Sequence, residues 1–377
     1  MKNILLSVII PTKDRYTTLV PVVTSLLKYI DSDNVEFIIQ DNSEIKEDLG
    51  NLLLDDRVIY SHTPNPISIK ENTTAAISKI KGEYTIFIGD DDLLSPYIID
   101  IVKSMKEKNM NCLIYNAAYY WWDSVDFVNE TYYHKKKAFW EPMNLNLEFI
   151  KKDSEKELEN VLVNGAVGML NLARYYHGII KTSLLFEIKN KTGQYLNGSS
   201  PDMGFAVSLN LTIKNYFFIN FPVSIYGASK NSGGGWTAAK KHYGKIEEQK
   251  HLPLNIKEVW DEKIPYIWSE TSIYGQTASE ILKKFERKEK INYTALYATM
   301  LANEPYLFSY IKPKLVSHFS NTPFTIISFF KYYAKRKIGN YLRNQKYKNQ
   351  KMEYKVSLID NVDSLMSHMK NNSKYIK

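Results

Sequence analysis

The sequence predicts an α/β protein with a doubly wound, Rossmann-like mixed sheet and a mostly α-helical C-terminal extension. Between residues 4 and 122, apolar runs of strand length alternate with segments of helical periodicity, the pattern of βαβ units. Polar clusters follow three of the predicted strands. Beyond about residue 245 the pattern is mostly helical.

The first predicted elements are a strand, a helix and a second strand. Residues 4–10, "ILLSVII", form an apolar run rich in β-branched residues that stops at Pro11, which is typical of a strand buried on both faces. Apolar residues then recur at helical spacing between residues 19 and 30, with Pro21 in the first turn, where proline is tolerated. "VEFIIQ" is the second strand.

The alternation then repeats. "RVIYSH" and "YTIFI" are predicted strands on either side of the helix "SIKENTTAAISKI". "SPYIIDIVKSMKEK" follows as a helix with a Ser-Pro start signal, and "NCLIYNAAYYWW" follows as one further strand. From residue 123 to 235 the alternation breaks up into aromatic and polar stretches.

Composition and charge narrow the protein class. The chain of 377 residues has room for one large core and a second module, and its 44% hydrophobic and 24% charged residues are those of a globular protein. A single cysteine, Cys112, excludes an intrachain disulfide. The net charge of +8 is concentrated late, in residues 331–351, and is compatible with nucleic acid, an anionic membrane or anionic ligands.

Targeting signals are weak. "MKNILLSVIIPTKDR" superficially resembles a signal peptide, but Pro11 and the polar residues 12–15 replace the small-residue cleavage site. The longest late apolar run, residues 324–330, is too short to span a bilayer. We therefore expect a cytoplasmic protein, soluble or peripheral at the inner face of the membrane.

Each polar cluster falls at the carboxyl end of a predicted strand. Thr12 and Asp14 follow the first strand, residues 40–43 follow the second, and residues 90–92 follow "YTIFI". Ligands of doubly wound sheets bind outside the carboxyl ends of the strands. Three clusters that converge on one rim predict a nucleotide site.

The third cluster contains three consecutive aspartates. Asp90, Asp91 and Asp92 repel one another and resist desolvation unless a cation is present. Mg²⁺ or Mn²⁺ is the predicted cation, because hard divalent ions take carboxylate and phosphate oxygens. The alternative is an acidic helix N-terminus, although that effect needs only one carboxylate.

These stretches resemble a known family. "SVIIPTKDR", "IIQDNSE" and "NPISIKENTTAAISKIKGEYTIFIGDDDLLSP" are similar to the family 2 inverting glycosyltransferases, which depend on nucleotide sugars and have the GT-A fold. The resemblance covers about residues 4–100. It implies a GT-A domain over 1–235, with a nucleotide-binding half (1–105) and an acceptor-binding half (106–235), and then a helical, basic extension over 245–377.

The resemblance also implies residue roles on the donor side. Asp41 would lie near the base or ribose, and Asn72 would face the donor. Gln40 stands where the family usually has an acidic residue, which bears on the base preference because a glutamine both donates and accepts. The full predicted donor-binding set is Pro11, Thr12, Asp14, Arg15, Gln40, Asp41, Asn72, Asp90, Asp91 and Lys230.

The metal ligand in the family is the second aspartate of Asp-x-Asp, and two registers fit this sequence. Literal matching gives Asp90 and Asp92. Alignment on "DLLSP" puts Gly89 at the first acidic position and Asp91 at the metal. Both Asp91 and Asp92 are kept as metal candidates, and Asp90 is assigned to the ribose or to metal-bound water.

An inverting transfer also needs a general base on the acceptor side. "YLNGSSPDMGFAVSLNL" resembles the position of the catalytic carboxylate in related transferases, which makes Asp202 the candidate. The alternative is an ordinary aspartate at a helix start. His177 is interpreted as a structural histidine.

A glycine-rich stretch follows, "YGASKNSGGGWTAAKKH" at 226–242. It predicts either a surface turn or a mobile loop that closes over the diphosphate. In the second case Lys230 or Lys241 neutralises the diphosphate and His242 reaches the metal.

The predicted activity is transfer of a hexose or N-acetylhexosamine from a nucleotide diphosphate, with UDP favoured, to a glycan or lipid-linked glycan. The pathway would be bacterial surface polysaccharide synthesis (capsule, O-antigen or LPS). The processivity motif Gln-x-x-Arg-Trp is absent, which favours one sugar per encounter. A sugar-nucleotidyltransferase would need glycines that "PTKDRYTTL" lacks, and a non-catalytic glycan-binding or scaffold protein would not need the aspartates.

The basic tail "FFKYYAKRKIGNYLRNQKYK" interleaves aromatic residues with Lys and Arg. This pattern is shared by membrane-surface helices and nucleic-acid patches, and it also fits a solvated face of a packed helix. Nothing else in the sequence indicates nucleic acid. Oligomers remain compatible with the sequence.

Overall fold

The computed structural model describes residues 3–238, 243–249, 252 and 256–372. The strands are β1 (Leu6–Thr12), β2 (Val35–Asp41), β3 (Val58–His62), β4 (Tyr84–Phe87), β5 (Leu93–Leu94), β6 (Cys112–Tyr115), β7 (Ala118–Trp121), β8 (Ala138–Pro142), β9 (Asn146–Asp153), β10 (Ile179–Lys181), β11 (Asn215–Asn220), β12 (Ser224–Ala228), β13 (Tyr243–Gly244), β14 (Trp268–Ser269) and β15 (Tyr354–Leu358). The helices are α1 (Tyr16–Tyr29), α2 (Ile69–Ile77), α3 (Ile98–Glu107), α4 (Ser154–Val163), α5 (Ser183–Thr192), α6 (Pro201–Asn210), α7 (Gly233–Ala238), α8 (Ile256–Val259), α9 (Glu270–Lys284), α10 (Tyr293–Asn303), α11 (Phe308–Asn321), α12 (Thr325–Lys348) and α13 (Val362–Asn371).

The main sheet has eight strands in the order β3-β2-β1-β4-β10-β6-β11-β9. The first four in this order are parallel, whereas β10 is antiparallel to both of its neighbours. The sheet is therefore mixed and covered by helices on both faces, as the fold class predicts. Alternation along β1 shows this directly, because Val8 and Ile10 pack into the core with α1 and α3 while Ile9 packs with α2 and α5.

A second sheet of five strands, β15-β8-β7-β12-β5, lies beside the first. The stretch predicted as one strand, "NCLIYNAAYYWW", is instead two strands in different sheets, β6 and β7. The chain changes sheet at Asn116, whose side-chain Nδ2 donates to Asn220 Oδ1 at 2.7 Å. The sequence pattern did not reveal this break, because apolar residues continue through it.

The C-terminal part is helical as predicted. Buried residues of α9 and α10 form a core with α4 and α6, and Phe329 of α12 joins it. The chain then returns to the α/β part, where β15 pairs with β8 and Leu365 and Met366 of α13 enter the core beside α1. Among the described residues, no helix combines the length and apolar character needed to cross a membrane.

Candidate active site at the carboxyl ends of β1, β2 and β4

The three polar clusters meet at one rim, as predicted. Thr12 Oγ1 donates to Asp90 Oδ2 at 2.5 Å, which joins the end of β1 to the turn after β4. Asn72 Nδ2 donates to the backbone carbonyls of Thr12 at 3.2 Å and Gln40 at 3.1 Å, which ties β1 to β2. The convergence follows from the parallel arrangement of these strands.

Asp90 and Asp91 both form ion pairs with the guanidinium of Arg15. Arg15 places Nη1 2.9 Å from Asp90 Oδ1 and Nη2 2.7 Å from Asp91 Oδ2. The Arg15 side chain keeps 19% of its surface exposed, whereas both carboxylates are buried. Burial raises the pKa of Asp90 to about 7 despite the opposing effect of Arg15, and burial together with the charge of Asp92 raises the pKa of Asp91.

Asp92 is held differently. Its Oδ1 accepts a hydrogen bond from Gly227 N at 2.7 Å, and its Oδ2 accepts one from Gly89 N at 2.6 Å. His177 Nε2 lies 2.9 Å from Oδ2, and Tyr176 Oη donates to the same oxygen at 3.2 Å. Burial alone would raise the pKa of Asp92, but His177 and the two backbone donors outweigh burial and lower it.

The second sheet supplies several of these donors. Antiparallel pairing places Ile225 of β12 opposite Leu93 of β5, so the chain beyond Ile225 runs alongside the aspartates. Ser229 then donates to Asp91 Oδ2 through its backbone N at 3.0 Å and its Oγ at 2.7 Å. A Cβ on Gly227 would lie 1.7 Å from the carbonyl oxygen of Asp91, so this close approach requires glycine.

Asp41 lies at the same rim, and both oxygens of its carboxylate accept hydrogen bonds from the protein. Its Oδ2 accepts hydrogen bonds from Tyr16 Oη and, at 2.8 Å, from Tyr60 Oη, and its Oδ1 accepts one from Ser43 N at 2.8 Å. Burial would raise the pKa of Asp41, but these donors outweigh it and lower the pKa. The group therefore remains an anion that can only accept hydrogen bonds.

The Gln40 side chain does not point to the same face of β2 as that of Asp41. Neighbouring side chains of a strand point to opposite faces, and Gln40 receives Lys79 Nζ at 2.5 Å and donates to Thr63 Oγ1 at 3.1 Å. Asn72 Oδ1, in contrast, is buried and accepts no hydrogen bond from the described part of the chain. Asn72 thus retains an acceptor for a ligand, while Gln40 has protein partners.

The first loop carries Pro11 and Asp14. Pro11 is half-buried within β1, and Asp14 is exposed with φ 55°, a left-handed conformation that aspartate adopts more readily than most residues. Asp14 Oδ1 accepts a hydrogen bond from Glu44 N at 2.9 Å. This contact joins the loops that follow β1 and β2.

Asp202 lies in the first turn of α6, as predicted. Burial raises the pKa of its carboxyl, partly offset by His177 and Arg174. His177 also contacts Asp92, and Tyr176 interacts electrostatically with Asp202 and with all three aspartates of the rim. In the ranges that the structure describes, no hydrogen bond engages the Asp202 carboxylate, which leaves it available to a substrate hydroxyl.

The glycine-rich stretch is partly regular structure. Residues up to Ala228 belong to β12, and α7 begins at Gly233, so the prediction of one continuous loop is wrong for these parts. The strong β-propensity of "SIY" and pairing with β7 outweigh the glycines. Lys230 is exposed, and its Nζ lies 3.0 Å from Asp126 Oδ2 rather than at the rim. Lys241 and His242 lie outside the described residues.

A divalent metal ion fits the carboxylate of Asp91 better than that of Asp92. Mg²⁺ is usually bound by one or two carboxylates together with substrate phosphates. Asp91 directs its hydrogen bonds with described residues and its ion pair to Oδ2, which leaves Oδ1 for a ligand, whereas Asp92 has protein donors on both oxygens. Within the described ranges, no group of three or more His, Cys, Asp and Glu side chains is arranged to hold a metal ion. Metal binding by Asp91, Asp92 and His242 stays a prediction.

Sequence reasoning missed several contacts of the rim. Tyr16 and Tyr60 bind Asp41, Ser229 binds Asp91, and Tyr176 binds Asp92. Tyr60 pairs with Ile39 in the β2–β3 register, so the known register would have placed it on the face of Asp41. No local signal marks Ser229 or Tyr176, because both approach from distant parts of the chain.

The fold is of the GT-A type, and its rim carries a cluster of acidic residues. Residues 7–165 match the model of the family described as "Glycosyl transferase family 2". This match agrees with the resemblance seen in the sequence over residues 4–100.

Solved structures of S. aureus TarS are also similar to this chain. TarS 1-349 in complex with UDP-GlcNAc has 12% sequence identity and a TM-score of 0.46, covering 95% of this chain and 97% of that one. Its complex with UDP has 12% identity and a TM-score of 0.43 at the same coverage. A further TarS structure has 12% identity and a TM-score of 0.42; 89% of this chain is covered, but only 55% of the TarS chain. No curated protein matches the sequence.

Proposed function

We propose that the chain is an inverting glycosyltransferase. It moves a hexose or N-acetylhexosamine from a nucleotide diphosphate donor, with UDP the first candidate, to a glycan or lipid-linked glycan. Its pathway is bacterial surface polysaccharide synthesis, such as that of capsule, O-antigen or LPS, at the inner face of the cytoplasmic membrane. The observation that carries the proposal is the meeting of the rim aspartates with Asp202 around His177 and Tyr176.

On the donor side, Asp41 and Asn72 bind the nucleoside, and Asp91 faces the diphosphate. The acceptor capacity of Asn72 Oδ1 and of Asp91 Oδ1 supports these roles. Mg²⁺ or Mn²⁺ bound at Asp91 would neutralise the charge of the departing diphosphate. Arg15 fixes the orientation of Asp90 and Asp91 through its two Nη atoms, and a guanidinium fork suits this task.

On the acceptor side, Asp202 is the general base. Its carboxylate takes the proton of the acceptor hydroxyl while the hydroxyl oxygen bonds to the anomeric carbon. The bond from that carbon to the diphosphate breaks at the same time, so the anomeric configuration inverts. A carboxylate with a pKa raised by burial is a stronger base than an exposed aspartate, which supports this role.

The test separates donor binding from turnover. Thermal shift with UDP, GDP and dTDP sugars, each with Mn²⁺ or with EDTA, measures donor binding, and release of the nucleoside diphosphate measures turnover. We expect Asp202→Asn to keep the thermal shift and to lose turnover. Asp100→Asn, an exposed aspartate of α3 paired with Lys103, is the matched control and should keep both.

Two results would contradict the proposal. If no nucleotide sugar shifts the melting temperature, the rim does not bind a donor. If Asp202→Asn turns over at the wild-type rate, another group is the base. Nucleoside triphosphate consumption with pyrophosphate release would instead identify a sugar-nucleotidyltransferase.

A further inference from the structure

Helix α12 has one side anchored on the protein. Phe329 is buried in the helical core, and Tyr332 Oη accepts a hydrogen bond from Asn292 Nδ2 at 3.0 Å. Further along the same side, Arg336 Nε and Asn340 Nδ2 donate to Asn303 Oδ1 at 3.1 and 2.9 Å. The helix is therefore fixed against α10, and its opposite side faces away from the protein.

That opposite side carries a row of exposed apolar residues. Ile327, Phe330, Ile338, Tyr341 and Leu342 are between 56% and 81% exposed. At about 100° per residue, all five fall within roughly 60° of one line along the helix, and they span about 22 Å of its length. We call this row the outward face of α12. Exposed apolar residues that form a continuous row mark an interaction site rather than scattered surface positions.

The charges beside this row have one sign. Helix α12 contains five lysines, two arginines and no aspartate or glutamate. Lys335 and Lys337 lie along the two edges of the outward face, and Lys331 and Lys348 lie within about 60° of its line. All four side chains are exposed. Lysines at such edges can extend their ammonium groups to an anionic layer while their alkyl chains remain near the apolar residues.

We propose that the outward face of α12 docks the protein on an anionic lipid bilayer. An apolar row with Lys on both edges is the pattern of a helix that lies in the membrane interface. A second copy of the chain packed on this face would bring lysines of equal charge together, and a nucleic acid would leave Ile327 and Phe330 without an apolar partner. An anionic bilayer can bury the apolar row and bind the lysines through its head groups at the same time.

The biological purpose of docking rests on the proposed function. An enzyme bound to the bilayer would meet a lipid-linked acceptor at the membrane surface. Docking itself needs no turnover. It can therefore be measured separately from donor binding and catalysis.

Flotation of the full chain with vesicles tests the inference. One vesicle type contains only zwitterionic phosphatidylcholine, and the other also contains anionic phosphatidylglycerol. We expect binding to the anionic vesicles that weakens as salt rises. Ile327→Glu combined with Phe330→Glu should lower the affinity more than tenfold, because two apolar contacts are lost and two repulsive charges are added. Each of Lys331→Gln and Lys337→Gln should lower it about fivefold.

The controls place the same substitution on another exposed surface. Ile45→Glu and Leu54→Glu change apolar residues of similar exposure in the α/β part and should leave vesicle binding unchanged. The donor-induced thermal shift should be the same in all of these variants, which separates loss of docking from loss of the proposed donor site.

Three outcomes would overturn the inference. Vesicle binding could be insensitive to Ile327→Glu and Phe330→Glu. The wild-type chain could bind no vesicles but form a dimer in sedimentation velocity that these substitutions abolish, which would assign the face to a second copy. It could also bind single-stranded RNA in a way that needs the lysines while ignoring vesicles.

Discussion

Asp91 and Asp92 are adjacent in sequence and differ in how the protein holds their carboxylates. Asp92 receives the backbone N–H groups of Gly89 and Gly227 and lies 2.9 Å from His177, whose other ring nitrogen lies 2.6 Å from Ser224 Oγ. The Oδ2 of Asp91 accepts two hydrogen bonds from Ser229 and pairs with the partly exposed Arg15, which also contacts Asp90. The comparison indicates that one run of carboxylates combines a structural acid with an acid that can exchange partners.

The difference is energetic. A buried charge whose hydrogen bonds are all made by the protein loses several of them if it turns to a ligand, so it stays in place. Asp90 and Asp91 share one partly exposed guanidinium, and the described donors to Asp91 all lie on Oδ2, so its Oδ1 can bind a ligand without breaking them. Charge alone does not distinguish Asp91 from Asp92, but the distribution of described donors does: they lie on both oxygens of Asp92 and on Oδ2 of Asp91.

The largest expected effect is on catalysis at Asp91. Asp91→Asn removes the charge that faces the donor diphosphate, and we expect the rate of nucleoside diphosphate release to fall by roughly 10³-fold. The denaturation midpoint should change little, because Asn still accepts hydrogen bonds from Ser229. Asp100→Asn, exposed on α3, is the control. Near-normal turnover of Asp91→Asn would remove the distinction between the two aspartates.

The second effect is on stability at Asp92. Asp92→Asn leaves His177 and two aligned backbone donors without their anion, and we expect a loss of about 3–5 kcal/mol in the free energy of unfolding, measured by urea denaturation. Asp363→Asn removes an exposed partner of Lys28 and should cause no measurable loss. A variant at position 92 that is fully stable but inactive would show that Asp92 is the reactive acid.

The sequence was sufficient to predict the rim but not its internal contacts. Each cluster follows a strand whose apolar run is plain, so the meeting of Thr12, Asp41 and Asp90 follows from parallel topology alone. Two of the residues that donate to Asp91 and Asp92, Ser229 and Gly227, are more than 130 residues later in the chain. The pairing of β12 with β5 brings Gly227 and Ser229 next to the aspartates. The register of this pairing depends on the whole tertiary structure.

Similar limits apply to the fold. The alternating pattern predicts the parallel strands, but the insertion of β10 in antiparallel orientation has no local signal, because "IIK" is only three residues long. The return of β15 and α13 to the α/β part is likewise a long-range choice. It buries Leu365 and Met366 against α1, residues that the sequence alone would assign equally well to a helical extension.

A smaller effect tests the other half of the comparison. Arg15→Lys keeps the positive charge but cannot contact Asp90 and Asp91 with two rigid donors. We expect a loss of about 1–2 kcal/mol in the free energy of unfolding, the range for one charge-assisted hydrogen bond. Lys28→Arg, at an exposed ion pair, is the control and should be neutral. A loss as large as that of Asp92→Asn would mean that the contacts of Arg15 with Asp90 and Asp91 are as important for stability as those of Asp92.

The smallest effect is a difference in pH dependence, and it has opposite signs for the two kinds of aspartate. The pKa of Asp90 is raised to about 7 in the folded protein, above the value of about 3.9 for an unfolded aspartate. The folded state therefore binds the extra proton between about pH 4 and 7, and this contribution to stability is lost as the pH rises through about 7. For Asp92, whose pKa is lowered, the contribution is present above about pH 4 and is lost as the pH falls through its folded pKa.

Asp90→Asn removes the first of these titrations. Its melting temperature, measured relative to wild type, should be about 2 °C more favourable at pH 8 than at pH 5, because only the wild type must ionise a buried group on going to pH 8. Asp100→Asn, measured at the same two pH values, should show no such difference. If the relative melting temperature of Asp90→Asn is lower at pH 8 than at pH 5, then Arg15 stabilises the ionised Asp90 more than burial disfavours it. Asp90 would in that case be an anion stabilised by the protein, as Asp92 is.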